Sequence, residues 1–260
     1  MISLILPSFK RAELLDIGLW SISRQTINYD LEILVLNDGI VDDTEKICKK
    51  YPNLNIRYIF SGQRNLDGTI KSRVPAYAIN IGVKQSKGDI IILSCPEILH
   101  LNNSFDLIIE PLLHDTDIMT TMKRIAFEDI GDLTVSLIRD KTLIITEEQF
   151  QKLTEGRKCV DAARMPYFMG MHKSHFIDIG GYDEDFIGYA GDDNDIMDRL
   201  RTKGLTYKYT SAKVIHLFHG GTNINPIMHK DNPAWVYNWN LFNERKGIIN
   251  RNIGKNWGKL

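Results

Sequence analysis

Cysteine is scarce in this chain of 260 residues. Cys48, Cys95 and Cys159 are odd in number, widely spaced and outside any C-x-x-C pattern. A disulfide-stabilised small fold needs a paired set of cysteines, and a zinc finger needs cysteines or histidines in close pairs. The sequence therefore indicates neither, and we expect buried small side chains or free thiols.

An excess of charge of either sign is also missing. The 32 Lys and Arg residues oppose 33 Asp and Glu residues, which leaves a formal net charge of −1. A strong positive excess is typical of proteins that bind nucleic acid, so we expect no nucleic acid partner. The hydrophobic share of 43% and the charged share of 25% are those of an ordinary globular protein.

Long hydrophobic runs are absent as well. The longest, such as Ile90 to Leu93, are far shorter than the roughly 20 apolar residues that span a bilayer. The first residues, MISLILPSFKRAE, form an apolar strand-like run without the basic region and cleavage site of a secretory signal. The sequence therefore predicts a cytoplasmic location.

What the chain does have, over its first hundred residues, is a regular alternation of strands and helices. The predicted strands are Ile2 to Leu6, Leu31 to Leu36, Asn55 to Phe60 and Asp89 to Leu93. The predicted helices are Ala12 to Ile22, Asp42 to Cys48 and Val74 to Lys84. This order predicts an α/β fold with a mainly parallel sheet flanked by helices. Ligands bind such sheets at the carboxyl ends of the strands, which directs attention to the residues after each strand.

The rest of the chain is less regular but shows no linker, repeat or change in composition. Its predicted helices are Phe105 to His114 and Glu147 to Leu153. Its predicted extended segments are Asp117 to Met122, Thr142 to Thr146, Pro166 to His172 and Lys213 to Phe218. We therefore expect a single continuous domain over residues 1–260, with a nucleotide-binding half at 1–100 and a more elaborate half at 101–260.

An acidic cluster opens one predicted helix. Residues 191–195 read GDDND, and Ile196, Met197 and Leu200 follow at helical spacing. A carboxylate at a helix amino terminus is favoured by the helix dipole, so it should stay ionised at neutral pH and can accept a proton. Ordinary helix capping is the alternative, although three carboxylates exceed what a cap needs. The cluster is thus a candidate for a general base.

Several ordered motifs together resemble a known family. The segments are LPSFKR, VLNDGIVDDT, SRVPAYAINIGVKQSKGDIIIL, GGYDEDF and GDDNDIMDRL. In this order, over about residues 2–220, they resemble glycosyltransferases with the GT-A fold, a Rossmann-like α/β architecture, of the family 2 type. The last segment also resembles the galactosyltransferase carboxyl-terminal motif. The resemblance implies transfer of a sugar from a nucleotide-diphosphate donor, UDP-linked, to a glycan or glycolipid hydroxyl, with inversion and the aid of a divalent cation (Mn²⁺ or Mg²⁺).

The resemblance also implies which residues hold the donor. The matching positions are Pro7, Ser8, Phe9, Arg11, Asp38 and Arg73, and Arg64 is a basic residue that competes with Arg73. Asp38 matches the carboxylate that binds uracil, Phe9 can cover a ring, and Arg11 can meet phosphate. Arg73 or Arg64 is expected near the diphosphate, and the sequence does not separate these two arginines. A turn at Asp38 and surface charges at the arginines are the structural alternatives.

The cation site departs from the family pattern. Relatives carry D-x-D after the fourth strand, whereas this chain has Ser94-Cys95-Pro96-Glu97. Glu97 remains as the carboxylate ligand, and His216 and His219 are the imidazole candidates. Three-residue spacing on a strand directs the two rings to opposite faces, so we expect one of them to face the cleft. His100 is a weaker third candidate.

The acidic cluster supplies the catalytic candidates. By resemblance Asp193 is the general base that acts on the acceptor hydroxyl, and Asp192 occupies the Glu position of the family's E-D pair. The expected lining of the acceptor pocket is Tyr182, Asp183, Glu184 and Phe186. In the tail, the spacing of Trp235 and Trp239 fits either a strand or a helix. Together with Trp257, these residues are expected to pack in the core or, alternatively, to form a peripheral membrane contact near a lipid-linked acceptor.

Two other functions are compatible with an α/β nucleotide-binding pattern. The missing D-x-D motif suggests one alternative, a degenerate module that binds glycans or acts as a scaffold. A sugar-phosphate nucleotidyltransferase shares such a core, but the loop after the first strand lacks the glycines that hold a triphosphate. We therefore predict a hexosyl- or N-acetylhexosaminyl-transferase of polysaccharide biosynthesis, with an oligomeric state that the sequence leaves open.

Overall fold

The computed structural model of the protein describes residues 1–39, 41–61, 74–128, 131–155, 166–188, 190–219 and 232–260. Arg64 and Arg73, the two arginines expected near the diphosphate, lie outside the described residues.

Strands from both halves of the chain join in one seven-stranded sheet. The strands of the chain are β1 (Ile2–Ser8), β2 (Leu31–Asn37), β3 (Ile56–Phe60), β4 (Ile90–Ser94), β5 (Ile98–His100), β6 (Ile118–Met122), β7 (Ala126–Phe127), β8 (Phe168–His172), β9 (Thr206–Thr210) and β10 (Val214–His216). The large sheet has the order β3-β2-β1-β4-β8-β6-β9. Its first four strands are parallel, β8 is antiparallel to both of its neighbours, and β9 is parallel to β6. The predicted, mainly parallel α/β sheet is confirmed.

Helices pack against this sheet, against one another and against the strand β7. They are α1 (Ala12–Ser23), α2 (Thr44–Cys48), α3 (Ala76–Gln85), α4 (Ser104–Ile109), α5 (Asp132–Arg139), α6 (Glu147–Glu155), α7 (Lys173–Asp178), α8 (Asp192–Thr202) and α9 (Pro233–Glu244). Alternate residues of each central strand enter different cores, because successive side chains of a strand point to opposite faces. Leu4 and Ile92 pack in the core that includes Leu15 of α1, whereas Ile5 and Ile91 pack in the core that includes α3 and α8. Both faces are therefore buried, which explains the continuous apolar runs of these strands.

A small second sheet lies beside the end of β4. Its order is β5-β10-β7, with β10 antiparallel to β5 and parallel to β7. These strands are two or three residues long. Runs this short contain no alternation that a sequence pattern can reveal, and β5 and β7 were not predicted.

Other local features also differ from the predictions. Thr142–Thr146 is a turn followed by irregular chain, and not an extended strand. The helix predicted from Phe105 to His114 changes to a 3-10 helix at Glu110–Leu113. Pro111 in that turn has no N–H, so it cannot donate the hydrogen bond that continues an α-helix. Helices α5 and α7 and strand β9 were not predicted.

The tail tryptophans occupy two environments. Trp235 and Trp239 lie on α9 with Phe242, at ring-centroid distances of 5.7 Å and 5.5 Å, so the helical alternative is correct. Trp257 packs against the core, with the Lys84 ammonium 3.9 Å from its ring centroid. Across the described ranges, no helix combines the length and the apolar character that crossing a bilayer requires.

Candidate active site and cation site

Glu97 and two histidines meet beyond the end of β4. Glu97 lies in the turn before β5, His216 ends β10, and His219 follows it closely. Antiparallel pairing of β5 with β10 brings this turn beside the end of β10, where the Leu217 amide donates to the Glu97 carbonyl at 2.9 Å. Oε1 of Glu97 is 3.7 Å from Nε2 of His216 and 3.3 Å from Nε2 of His219. The three candidate ligand atoms lie within 4.8 Å of one another.

The expectation that one of the two imidazoles faces the cleft is wrong. The rings of His216 and His219 are 5.2 Å apart between centroids, and both approach the same carboxylate. The alternation rule applies within a strand, but β10 ends at His216. The residues that follow leave the strand, and the Phe218 amide donates to Oε2 of Glu128 at 3.1 Å. This change of direction returns His219 to the side of His216.

The residues of this cluster fit a divalent cation. Oε2 of Glu97 is buried and has no hydrogen-bond partner among the described residues. Burial lowers the pKa of His219, so its ring is neutral at pH 7 and offers a lone pair. One carboxylate with two imidazoles suits Mn²⁺ better than Mg²⁺, which prefers oxygen ligands throughout.

His100, the weaker ligand candidate, and Cys95, which lies between β4 and Glu97, do not join this cluster. Burial raises the pKa of the Cys95 thiol well above its ordinary value, which keeps the thiol protonated. Burial lowers the pKa of His100 to about 3, and its ring packs 4.8 Å from Phe105 and 4.7 Å from Phe168. His100 is therefore a core residue.

Arg11 lies next to the cluster. It is the residue that precedes α1, and its Nη2 is 3.1 Å from Nδ1 of His219. The sequence predicted a phosphate contact for Arg11, and the structure directs the guanidinium toward the candidate cation ligands. A phosphate bound at that cation would lie within the same neighbourhood, so the predicted role stays open to test.

The loops after the first three strands lie side by side. Pro7 and Ser8 end β1, and the Ser8 carbonyl accepts from the Asp38 amide at 2.9 Å. Oδ1 of Asp38 accepts from the Ser61 hydroxyl, beyond β3, at 3.1 Å. The Asp38 side chain is buried at this junction. The predicted donor-binding positions of these loops are thus brought together, as the carboxyl ends of parallel strands require.

Phe9 extends this group of predicted donor-binding residues. Its ring lies against Gly39, where an added Cβ would be 3.1 Å from ring carbon Cδ2. Lys10 places its ammonium 5.3 Å from the centroid of the ring. A side chain at position 39 would displace the Phe9 ring, so glycine allows the ring to lie beside Asp38.

The catalytic candidates Asp192 and Asp193 lie at the start of α8, and Asp193 is hydrogen-bonded to Tyr182. Gly191, with a φ of 90°, precedes the helix, and Asp192 and Asp193 form its first turn. The Tyr182 hydroxyl donates to Oδ1 of Asp193 at 2.9 Å. Oδ2 of Asp192 is buried without a hydrogen-bond partner among the described residues. The acidic turn is therefore more than a helix cap.

Burial outweighs the helix dipole at this turn. Burial raises the pKa of Asp193 to about 6, and the Tyr182 hydrogen bond opposes that rise. Burial and the neighbouring charge of Asp193 raise the pKa of Asp192 well above its ordinary value. The helix amino terminus was expected to keep a carboxylate of this turn ionised at neutral pH, and desolvation by burial acts against that effect. At pH 7 Asp193 is still mostly ionised, and its pKa suits a general base.

Two of the residues expected to line the acceptor pocket are buried away from solvent. Asp183 is 1% exposed and Phe186 is 3% exposed. The Asp183 carboxylate accepts from Arg245, and Phe186 packs in the core that contains α3 and α8. Because both side chains are buried, they do not line an acceptor pocket in the structure, and the prediction for Asp183 and Phe186 is corrected.

The other two expected residues also make internal contacts. Oε1 of Glu184 accepts from Nδ2 of Asn80 at 3.0 Å and from the Gly258 amide at 2.9 Å. The Tyr182 ring is fully buried, and the hydroxyl described above is the part that reaches Asp193. All four expected residues therefore make contacts inside the protein, and they contact the candidate base through the Tyr182 hydroxyl. The sequence alone did not reveal this arrangement.

Two buried asparagines that the sequence did not single out hold Tyr182. Asn80 accepts from the Tyr182 amide at 2.9 Å and donates to its carbonyl at 2.9 Å. Asn252 donates to the same carbonyl at 2.7 Å and to the Gly180 carbonyl at 2.8 Å. Asn80 lies among apolar residues of a helical pattern, and a polar residue at such a buried position is the signal that was available. Asn252 is 70 residues from Tyr182 in the sequence, and no local pattern indicates that they are in contact.

Comparison with known proteins agrees with the predicted family. The profile described as glycosyl transferase family 2 matches residues 3–180. A second profile, described as the N-terminal domain of galactosyltransferase, matches residues 167–220. The predicted combination of a family 2 core with a galactosyltransferase-type motif is confirmed.

Individual relatives are more distant. Chondroitin synthase of Pasteurella multocida (strain Pm70) is 26% identical over 244 residues, covering 80% of this chain and 23% of that protein. Chondroitin synthase of Escherichia coli is 24% identical over 236 residues, covering 80% of this chain and 33% of that protein. The chain thus spans about a quarter to a third of the length of these relatives.

A solved structure shares the fold. The structure of GalNAc-T7 with UDP, GalNAc and Mn²⁺ superposes with a TM-score of 0.63 at 16% identity, covering 94% of this chain and 48% of that chain. At this identity the likeness concerns the fold alone, and it confirms the predicted GT-A architecture.

Proposed function

Because the chain belongs to glycosyl transferase family 2, we propose that it transfers a sugar from a nucleotide-diphosphate donor, a UDP-sugar, to a hydroxyl group of a glycan or lipid-linked glycan. The transfer inverts the anomeric centre and is assisted by a divalent cation. The observation that carries this proposal is the cluster of Glu97, His216 and His219, with Arg11 of the loop after β1 in contact with His219.

Glu97, His216 and His219 would hold the cation, with Mn²⁺ preferred over Mg²⁺ on the chemistry of the ligands. A bound cation supplies positive charge that stabilises the departing nucleoside diphosphate. The cluster compensates for the missing D-x-D, since it provides a buried carboxylate oxygen without a partner among the described residues. This feature favours an active enzyme over a degenerate glycan-binding module.

The first hundred residues would bind the donor. In this proposal Phe9 covers the uracil ring, and Asp38 accepts a hydrogen bond from the base. Pro7 and Ser8 shape the loop, and Arg11 meets the diphosphate. Support comes from the junction of these loops, where the Asp38 amide and the Ser8 carbonyl are 2.9 Å apart. The later half of the chain would bind the acceptor.

Asp193 would act as the general base. Its carboxylate takes the proton of the acceptor hydroxyl while the hydroxyl oxygen attacks the anomeric carbon and the bond from that carbon to the diphosphate breaks. Tyr182 donates to Oδ1 at 2.9 Å, which orients the carboxylate and leaves Oδ2 to take the proton. The raised pKa of Asp192 favours its protonated form, which leaves Asp193 as the ionised carboxylate of this pair.

The relatives suggest the class of substrate. Two of them are named chondroitin synthases, and the GalNAc-T7 structure contains UDP, GalNAc and Mn²⁺. We therefore propose a UDP-hexose or UDP-N-acetylhexosamine donor and a role in polysaccharide biosynthesis. We propose that the enzyme works in the cytoplasm at the membrane surface. There Trp235 of α9 would contact a lipid-linked acceptor.

A panel of nucleotide sugars tests this function. The purified protein is incubated with each donor and with Mn²⁺ or Mg²⁺, with and without oligosaccharide acceptors, and release of the nucleoside diphosphate is measured. We expect cation-dependent consumption of one or two UDP-sugars, and its loss in Glu97→Gln but not in Glu148→Gln, whose carboxylate lies exposed on α6. Binding of UDP-sugars or glycans without any turnover would indicate the degenerate module. Conversion of a nucleoside triphosphate and a sugar phosphate would indicate a nucleotidyltransferase.

A further inference from the structure

A buried network of charges lies directly behind the candidate base. Two carboxylates, Asp183 and Asp195, and two guanidiniums, Arg199 and Arg251, have side chains that are at most 3% exposed. Arg245 joins them from the rim with a side chain that is 29% exposed. The four buried members carry two negative and two positive charges, so their charges balance, and Arg245 also pairs with Asp185 at 2.9 Å.

Asp195 connects this network to α8. Its Oδ2 accepts from Nε of Arg199, one helical turn later, at 2.7 Å. Its Oδ1 accepts from Nη2 of Arg251 at 2.7 Å. Asp195 lies in the first turn of α8, two residues after Asp193. The contact with Arg251 therefore fixes the turn that carries the base.

Asp183 connects the same arginine to Tyr182. Nε of Arg251 lies 3.1 Å from Oδ2 of Asp183, an ion-pair contact without the geometry of a hydrogen bond. Asp183 is the chain neighbour of Tyr182, whose hydroxyl donates to Asp193. Arg251 thus contacts residues adjoining both members of the Tyr182 and Asp193 pair.

The backbone holds Arg251 in this position. The Arg251 amide donates to the Ile179 carbonyl at 3.0 Å. Gly180, with a φ of 77°, lies so close that an added Cβ would be 2.2 Å from the Arg251 carbonyl oxygen. Nη2 of Arg251 also donates to the Arg245 carbonyl at 3.0 Å. The segment that carries Arg251 is therefore packed against the segment that leads to Tyr182.

We propose that Arg251 is a positioning residue for the transfer reaction, which fixes Tyr182 and Asp193 through Asp183 and Asp195 and cancels the negative charge that Asp195 places behind the base. The inference rests on the proposed function, because it assigns a role to Arg251 through Asp193. Arg251 touches no substrate in this role.

The physical basis is the sensitivity of a buried carboxyl to nearby charge. Tyr182, Asp192 and Cys95 are titratable groups that interact with Asp193, and the charge of Asp195 acts on the neighbouring Asp192. Removing the positive charge of Arg251 leaves the negative charge of Asp195 less neutralised. That negative charge disfavours the ionised form of Asp193, so the pKa of Asp193 should rise. Removing the charge of Asp195 has the opposite effect, because Arg199 and Arg251 are then in excess.

The test measures the pH dependence of kcat at saturating donor and cation. Arg251→Met should move the acidic limb of the profile to higher pH by on the order of one unit. Asp195→Asn should move it to lower pH, and the double variant, in which the charges balance again, should return toward the wild-type limb. Arg201→Met, which removes an exposed positive charge from the same helix, should leave the limb within about 0.2 units.

Opposite shifts in the two single variants support the proposal. Losses of kcat or of thermal stability with an unmoved limb, or shifts in the same direction, overturn it and leave the network a purely structural one. If Arg251→Met does not fold, the comparison of Asp195→Asn with the double variant decides in the same way. Failure of the proposed function is seen separately, since the wild-type protein would then consume no donor at any pH.

Discussion

The guanidinium of Arg11 donates to Nδ1 of His219 across 3.1 Å. Arginine has no acceptor, so Nδ1 must be the unprotonated nitrogen, and the neutral ring carries its proton on Nε2, which faces Glu97. A cation at Glu97 needs the lone pair of Nε2. The hydrogen bond from Arg11 and the binding of a cation therefore oppose each other, and a bound cation would release Arg11 toward the anionic donor.

Arg11→Met should consequently raise the affinity for Mn²⁺ in the absence of nucleotide by about tenfold, since a charge-assisted hydrogen bond and a like charge are both removed. The same variant should bind UDP more weakly in the presence of Mn²⁺. Titration calorimetry measures both affinities. Arg24→Met, at the other end of α1, is the control, and an unchanged or lower Mn²⁺ affinity in Arg11→Met contradicts the competition.

Asp193→Asn should reduce kcat by a factor of about 10² to 10⁴, the usual contribution of a general base. Its affinity for the donor should not change. In the wild-type protein kcat should fall as pH drops below about 6, because burial raises the pKa of Asp193 to about 6 and the protonated form cannot act as a base. Asp198→Asn on the same helix is the matched control. Retained turnover in Asp193→Asn would remove Asp193 as the base.

The same substitution should stabilise the fold at neutral pH. With its pKa raised to about 6, folded Asp193 binds more protons than the unfolded chain between about pH 4 and pH 6, so stability falls as pH rises through this window. An asparagine side chain carries no charge, so Asp193→Asn should gain on the order of 1 kcal/mol above pH 6. Urea unfolding at pH 7.5 and pH 4.5 measures the gain, which should shrink at the lower pH. An equal effect at both values contradicts the raised pKa.

Glu128 should support cation binding without being a ligand. Its buried carboxylate accepts from the Thr134 amide at 3.0 Å and from the Phe218 amide at 3.1 Å, and its own amide donates to the His216 carbonyl at 3.0 Å. Glu128→Ala frees the segment that turns His219 back toward His216. We expect Mn²⁺ affinity to fall roughly 10- to 100-fold, as for other groups that orient metal ligands. Glu148→Ala is the exposed control, and unchanged Mn²⁺ affinity in Glu128→Ala argues against this support.

The sheet was predictable because its central strands are buried on both faces. Runs such as those of β1 and β4 are continuously apolar, and the carboxyl ends of parallel strands necessarily converge. That logic was enough to locate Asp38 and Glu97 near one edge of the sheet from their positions after predicted strands. It failed for β5 and β7, whose lengths of three and two residues hold too little pattern.

The candidate site was predictable in its residues more than in its geometry. The family motifs singled out Asp193 and the two histidines as candidates, but the end of β10 at His216 is not visible in the sequence, so the expectation of opposite faces for the two histidine rings was wrong. The contact of Arg251 with Asp195 joins positions 56 residues apart, and no local pattern indicates such a pair. Burial of Asp193, which sets its pKa, likewise depends on segments distant in the chain.

The central claim is that Glu97, His216 and His219 hold the cation that the donor needs. The most direct measurement is electron paramagnetic resonance of Mn²⁺ titrated into the protein with and without UDP, in the wild type and in Glu97→Gln. We predict one bound Mn²⁺ in the wild type, tightened by UDP, and a loss of affinity of about 100-fold or more in Glu97→Gln. Equal Mn²⁺ binding by the two proteins, or UDP binding that is indifferent to the cation, would contradict the account.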